Sequence, residues 1–131
     1  MNLLLDTHVV IWCAADPGRL KPEVTARFLE AAETLWYSPI SVWETMVLAE
    51  KGRITLGPDI PASTRDIFDR LPLREATLNT AVAIRSRQLS LSHADPADRF
   101  IAATALVYGF TLVTADQRLL EAADIPVMAA A

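Results

Sequence analysis

The chain is 131 residues long and poor in several residue types. It has one cysteine, Cys13, with only four glycines and two histidines. A lone cysteine closes no internal disulfide, and no Cys/His cluster has zinc-site spacing. So few glycines beside 52% hydrophobic residues exclude a disordered, collagen-like or linker-dominated chain. No apolar run approaches about 18 residues, so no membrane-spanning helix is expected. The start of the chain has no basic segment, and Asp6 interrupts its apolar run, so a signal peptide is not expected either. A cytoplasmic protein with no membrane partner fits these absences. A strong charge of one sign is also missing. Sixteen acids against 12 bases leave a net charge of −4, which argues against a surface that grips nucleic acid all over. A local basic rim stays open. Lysine is nearly absent: ten of the 12 bases are arginine, whose fork suits carboxylate and phosphate.

What remains is enough for one domain over residues 1–131, with roughly two-thirds of the unfolded surface buried. Residues 2–6 read as a short buried strand, with Leu3, Leu4 and Leu5 in a row. An apolar helix over 9–15 is broken by Asp16-Pro17-Gly18. A helix over 22–33, a strand over 35–38 and a helix over 41–51 closed by Gly52 follow. Residues 54–60 read as loop, 62–69 as a short helix and 71–73 as a weak strand. A helix over 77–89 sets Leu78, Ala81, Val82 and Ile84 on its inner side. The clearest helix is 96–108, ended by Gly109. A strand over 110–113, a short helix over 117–123 and a strand remnant over 126–128 complete the pattern, with 129–131 frayed. Alternating strands and helices predict an α/β fold, a mostly parallel sheet with helices on both faces. Such sheets bind ligands beyond the carboxyl ends of their strands.

Four acids fall where that edge should be. Asp6 follows the leucine strand, and Asp116 follows the strand over 110–113. Glu44 lies in Ser41-Val42-Trp43-Glu44, and Asp98 in His93-Ala94-Asp95-Pro96-Ala97-Asp98. Each has a plainer reading as well. Asp6 and Asp116 suit helix N-caps, Ser41 and Glu44 form a capping box, and Asp95, Pro96 and Asp98 make a good helix start. If the four converge, their repulsion calls for protons or a cation. Two charges about 4 Å apart repel by roughly 4 kcal/mol at an effective dielectric of about 20. An all-oxygen set suits Mg²⁺ or Mn²⁺, and such ions serve phosphodiester hydrolysis.

Leu4-Leu5-Asp6-Thr7-His8, Ser41-Val42-Trp43-Glu44, the stretch from His93 to Ala103 and Leu112-Val113-Thr114-Ala115-Asp116 together resemble the PIN-domain family. The likeness is to VapC-type ribonuclease toxins of bacterial toxin–antitoxin pairs, and it spans nearly the whole chain. It implies a PIN-like three-layer sandwich, with a mostly parallel sheet of four or five strands flanked by helices. It implies Asp6, Glu44, Asp98 and Asp116 as a catalytic quartet of an Mg²⁺- or Mn²⁺-dependent endoribonuclease. Asp6 and Asp98 would be the main direct metal ligands, with Asp116 and Glu44 acting through water or a second site. Asp98 keeps the family register, three residues before Ile101-Ala102-Ala103. Ala97 stands where the subgroup often has phenylalanine, a difference of packing. Partners implied are an RNA substrate, a small cognate antitoxin covering the groove, and a second copy in a homodimer.

Further residues follow by position. The Thr7 and Thr114 hydroxyls can serve a site carboxylate or cap locally. Asp95 reads as a cap first and a site acid second. Arg99 offers a phosphate contact or a structural ion pair. Arg85, Arg87 and Arg118 are candidates for phosphate, with solvated surface as the plainer role. His8 and His93 receive no catalytic role. Trp12, Trp36, Trp43 and Phe100 read as core rather than base-stacking residues, and Cys13 as a buried small hydrophobe. A mean hydropathy of +0.26 suggests an apolar interface, with residues 42–49 and 102–107 as its sources. Two rival functions stand beside the nuclease. One is a non-catalytic metal- or protein-binding module. The other is a Mg²⁺ phosphatase or phosphoacceptor, which fits poorly: Asp6-Thr7-His8 lacks a second Asp, and Lys21 and Lys51 lie too early for the late lysine of a phosphoacceptor.

Overall fold

Five parallel strands form one sheet in the order β3-β2-β1-β4-β5 in the computed structural model, which describes residues 1–91, 95–122 and 124–131. His93 and Ala94 of the fourth acid's motif lie outside the described residues, as does Ala123 at the expected end of the last helix. The strands are β1 (Asn2–Leu5), β2 (Thr34–Tyr37), β3 (Leu73–Glu75), β4 (Thr111–Thr114) and β5 (Val127–Ala129). The helices are α1 (Thr7–Ala15), α2 (Pro22–Phe28), α3 (Pro39–Glu50), α4 (Ile60–Asp69), α5 (Thr80–Ser86), α6 (Pro96–Tyr108) and α7 (Gln117–Leu120), with a 3₁₀ turn over Pro17–Arg19.

The alternation of a strand explains the three layers. Leu3 and Leu5 point to one face and pack with Val9, Val24 and Phe68 from α1, α2 and α4. Leu4 points to the other and packs with Ile101, Ala102 and Ala105 of α6 and Leu119 of α7. All three leucines are fully buried, as a strand covered on both faces requires. β1 is central, with β2 on one side and β4 on the other, so the strand order reverses at β1. Crevices in open α/β sheets form at such a reversal, beyond the carboxyl ends.

Several local expectations are corrected. Helix α3 begins at Pro39 with Ser38 as its N-cap, whose Oγ accepts from the Ile40 amide at 3.1 Å. Proline at the first helical position is pre-organised there, so the Ser41–Glu44 capping box does not form. Helix α2 stops at Phe28, because Leu29 is 82% exposed and an Arg27–Glu33 ion pair of 3.0 Å folds the chain back toward β2. Helix α5 starts only at Thr80, where the Asn79 side chain accepts from the Val82 amide. Of its four expected inner residues only Val82 is buried, while Leu78, Ala81 and Ile84 face solvent. The strands over 71–73, 110–113 and 126–128 begin one or two residues later than expected. Ala102, Ala103 and Ala105 are fully buried, so this part of α6 is core and not an interface. Residues 129–131 are not frayed as a group: Ala129 pairs with Thr114 in the β5 ladder, and Ala130 is fully buried. No helix among the described residues is long and apolar enough to cross a membrane.

Candidate functional site

A cavity of about 470 Å³ opens at the carboxyl edge of the sheet, where β1 and β4 end. Five acids line it: Asp6, Glu44, Asp95, Asp98 and Asp116. The four acids singled out in the sequence therefore line one cavity, and Asp95 joins them. Arg53, Arg118 and His8 complete the polar lining.

Asp6 is placed by register. Leu5 pairs with Val113, and the Asp6 amide donates to the Val113 carbonyl at 3.0 Å, which sets Asp6 beside Thr114. Its Oδ1 accepts from the Thr7 amide at 2.8 Å, capping α1, and its Oδ2 accepts from the Thr114 hydroxyl at 2.7 Å. The Thr114 oxygen in turn accepts from the Asp116 amide at 3.0 Å. An amide can only donate, so the direction of the Thr114 proton is set. Asp6 is 8% exposed. Burial is the main force pushing its pKa up, opposed by the bonds from Thr114 and Thr7. The plainer reading as a helix cap holds, and the same carboxylate lines the cavity.

Glu44 is held from α1. The Thr7 hydroxyl donates to its Oε1 at 2.5 Å and lies 2.9 Å from Ser41 Oγ. Thr7 has one proton to give, so while Glu44 is ionised the Ser41 hydroxyl donates to Thr7. Burial raises the Glu44 pKa; Thr7 lowers it, and the charge of Asp6 adds to the rise. Asp95 caps α6 through the Ala97 amide at 3.0 Å, and Asp98, 7% exposed, lies in the first turn. Asp116 caps α7 through the Arg118 amide at 2.9 Å.

Among the described residues, one group of acids has ligand atoms all within 4.8 Å of one another: Glu44, Asp95 and Asp98. Asp6 and Asp116, expected with Asp98 as the metal set, line the same cavity outside that group. Arg118 links Asp116 to that group, 3.1 Å from Asp116 Oδ2 and 3.7 Å from Asp98 Oδ2. Charges at the 4.8 Å spacing repel by roughly 3–4 kcal/mol per pair at an effective dielectric of about 20. Arg118 is half in solvent and offsets only part of that. Three hard oxygen donors at this spacing therefore fit a divalent cation of the Mg²⁺ or Mn²⁺ class.

Other candidates fall elsewhere. Arg99 makes no ion pair among the described residues; it donates to the carbonyls of Ser86, Leu89 and Leu91 at 3.1, 3.5 and 3.4 Å and ties α6 to the end of α5. Arg85 and Arg87 are exposed and do not line the cavity. Cys13 is half-buried, its thiol pushed up to about 11 by desolvation. Trp12, Trp36 and Phe100 are half-buried, but Trp43 is 57% exposed, so it is not a core residue. Pattern reading overlooked Arg53 and gave His8 no role, yet both line the acidic cavity. The available signal for Arg53 was Gly52, which ends α3 and turns the chain back.

Comparison with known proteins agrees with this architecture. The PIN domain family matches residues 3–125. The chain is 36% identical over 119 residues to ribonuclease VapC22 of Mycobacterium tuberculosis, covering 90% of this chain and 89% of that one. The fold resembles VapBC2 from Rickettsia felis, solved bound to a promoter DNA fragment, with TM-score 0.75 and 17% identity over 98% of each chain. It also resembles VapBC-5 of M. tuberculosis, a member of the VapBC family of toxin–antitoxin systems. There the TM-score is 0.60 at 17% identity, covering 97% of this chain and 95% of that one.

Proposed function

The chain belongs to the PIN domain family, and from that premise we propose that it is an endoribonuclease, the toxin of a VapBC-type toxin–antitoxin pair. The observation that carries the reading is the convergence of five acids at the strand-order reversal, in a chain 36% identical to a named ribonuclease. The whole activity resides on one domain, acting in the cytoplasm. Its partners are RNA, a small cognate antitoxin and a second copy of the chain, a reading supported by the toxin–antitoxin complexes among the structures it resembles.

Asp6, Glu44, Asp98 and Asp116 are the catalytic acids, with Asp95 as a fifth. Asp98 is common to the compact group and to the Asp6–Asp98–Asp116 set, which makes it the central ligand for Mg²⁺ or Mn²⁺. When bound, the ion supplies Lewis-acid polarisation of the phosphate and water of lowered pKa. The chain supplies the rest. Thr114 and the Thr7 amide fix both oxygens of Asp6. Thr7 fixes one oxygen of Glu44, leaving the other to accept the proton that the attacking water loses. Water adds to phosphorus in line, the bond from phosphorus to the leaving ribose oxygen breaks, and that oxygen takes a proton from solvent water. Arg118, already among the acids, is positioned to balance charge on the phosphoryl oxygens.

Cleavage of bacterial total RNA by partner-free protein tests this reading, with Mg²⁺, with Mn²⁺ and with chelator, beside Asp98→Asn. Discrete metal-dependent fragments that disappear in the folded variant are expected. A folded protein that binds metal and cleaves nothing overturns it in favour of a non-catalytic binding module.

A further inference from the structure

A second cavity, about 280 Å³, adjoins the acidic one and shares Glu44, Arg53 and Asp95 with it. Its other wall is Trp43, Val47 and Lys51. These three recur at intervals of four along α3 and its C-cap Lys51, a stripe about 12 Å long at 1.5 Å per residue. Trp43 is the one exposed large aromatic among the described residues. The other two tryptophans are engaged: Trp36 stacks on Phe110 with centroids 4.8 Å apart, and Trp12 lies under Arg19 at 4.6 Å. Trp43 has no such ring or cation partner among the described residues. Lys51 and Arg53 likewise make no ion pair among them. Gly52, at φ +72°, turns the chain between these two cations, so that both flank the same cavity.

An open aromatic face beside two unpaired cations is the usual arrangement for single-stranded nucleic acid. Any base can stack on the ring, and the cations take the backbone. Bases of a duplex are stacked on each other and cannot reach it. A dry protein interface is the poorer fit, since lysine is depleted from interface cores. Resting on the ribonuclease reading, we propose that this cavity is a subsite for a nucleotide of single-stranded RNA next to the scissile phosphate. Its base lies on Trp43, and its phosphate is held by Lys51 and Arg53, away from Glu44 and Asp95. Trp43 is thus a substrate-positioning residue outside the acidic cluster.

The test compares wild type, Trp43→Ala, Trp43→Phe and Lys51→Ala/Arg53→Ala in initial rates on total RNA, with retention of that RNA by Asp98→Asn protein on a filter. Trp43→Ala should raise KM about tenfold with kcat held within about twofold, and Trp43→Phe should restore most of the loss. The double variant should flatten the dependence of log affinity on log salt by about 1.4, two single-strand contacts at roughly 0.7 each. An unchanged KM in Trp43→Ala, while wild type cleaves, overturns the subsite alone. A changed oligomeric state in that variant also overturns it, assigning Trp43 to a protein interface. Neither cleavage by wild type nor retention by Asp98→Asn overturns the ribonuclease reading and the subsite with it.

Discussion

Thr114 shows how a single hydroxyl can govern two acids. It donates to Asp6 Oδ2 and accepts from the Asp116 amide, and it is fully buried. Thr114→Val keeps the shape and removes both bonds. Stability should fall by about 1–2 kcal/mol, since a half-buried amide and a buried carboxyl each lose a partner. kcat should fall about tenfold with KM little changed, because Asp6 loses its orientation and not its substrate contact. Denaturant melts and steady-state kinetics check this; an unchanged kcat would show that Thr114 does not orient Asp6. The same residues predict a pH dependence. Burial raises the pKa of both Asp6 and Glu44 above the ordinary carboxylate range. Between that range and their folded values the folded state holds more protons than the unfolded one, so stability falls as pH rises through the window. The contribution is fully present below the ordinary carboxylate pKa and gone above the folded one. A divalent cation needs the ionised forms, so its stabilisation should grow over the same interval. Urea melts across that range in chelator should show wild type losing stability relative to Asp6→Asn, which cannot ionise, and added Mg²⁺ should close the gap. A wild type that gains on Asp6→Asn in chelator as pH rises would contradict the sign.

Elements decide where such residues point, and two glycines allow a comparison. Gly52 and Gly109 both have φ +72°, and each ends a helix. A Cβ at either meets nothing within 4 Å, so alanine there costs only the left-handed backbone, about 1 kcal/mol. The two should destabilise alike in a thermal or urea melt. Only Gly52→Ala should also raise KM on RNA, because its turn carries Lys51 and Arg53; equal KM values would detach that turn from substrate binding. Both glycine stops were legible in the sequence, as were the central leucine strand and the α6 start at Asp95-Pro96, because each is a local signal of capping or run length. Asp6 and Asp116 were legible for the same reason, since a residue just past a strand of a parallel sheet is on the carboxyl edge, whereas Glu44 and Asp98 lie within α3 and α6 and were marked by their helix-start patterns. Facing directions were not. The helix expected over 77–89 is capped three residues later than the pattern suggests, so Leu78 falls outside it, and Leu78 and Ile84 both face solvent. Trp43 looks like core by residue type, but α3 turns Ser41 and Thr45 inward instead. Arg99 is spent on three carbonyls that only the tertiary fold brings within reach.

At the scale of the molecule, the last residues of the chain lie at the carboxyl edge of the sheet, beside the site. β1 begins at Asn2 in the centre of the sheet, and β5 closes one edge, with Ala129 opposite Thr114. The Ala130 amide donates to the Thr114 carbonyl at 2.9 Å, and the Ala130 carbonyl accepts from the Lys21 amide at 2.9 Å. The last residues thus tie the strand that holds Asp6 in place to the segment entering α2. A run of three alanines carries no capping or periodic signal, which is why it reads as loose from sequence. Its order comes from the ladder beside it. Ending the chain after Met128 removes both hydrogen bonds and exposes the end of β4. Two such bonds are worth about 1–3 kcal/mol together, a fall in Tm of roughly 5–10 °C for a chain of this size. kcat should drop with it, because Thr114 would then hold Asp6 from a strand end that frays. If calorimetry shows the shortened chain melting with the full one and kcat is unchanged, the end is loose after all. If Tm falls while kcat holds, the last strand supports the sheet but not the acids at its edge.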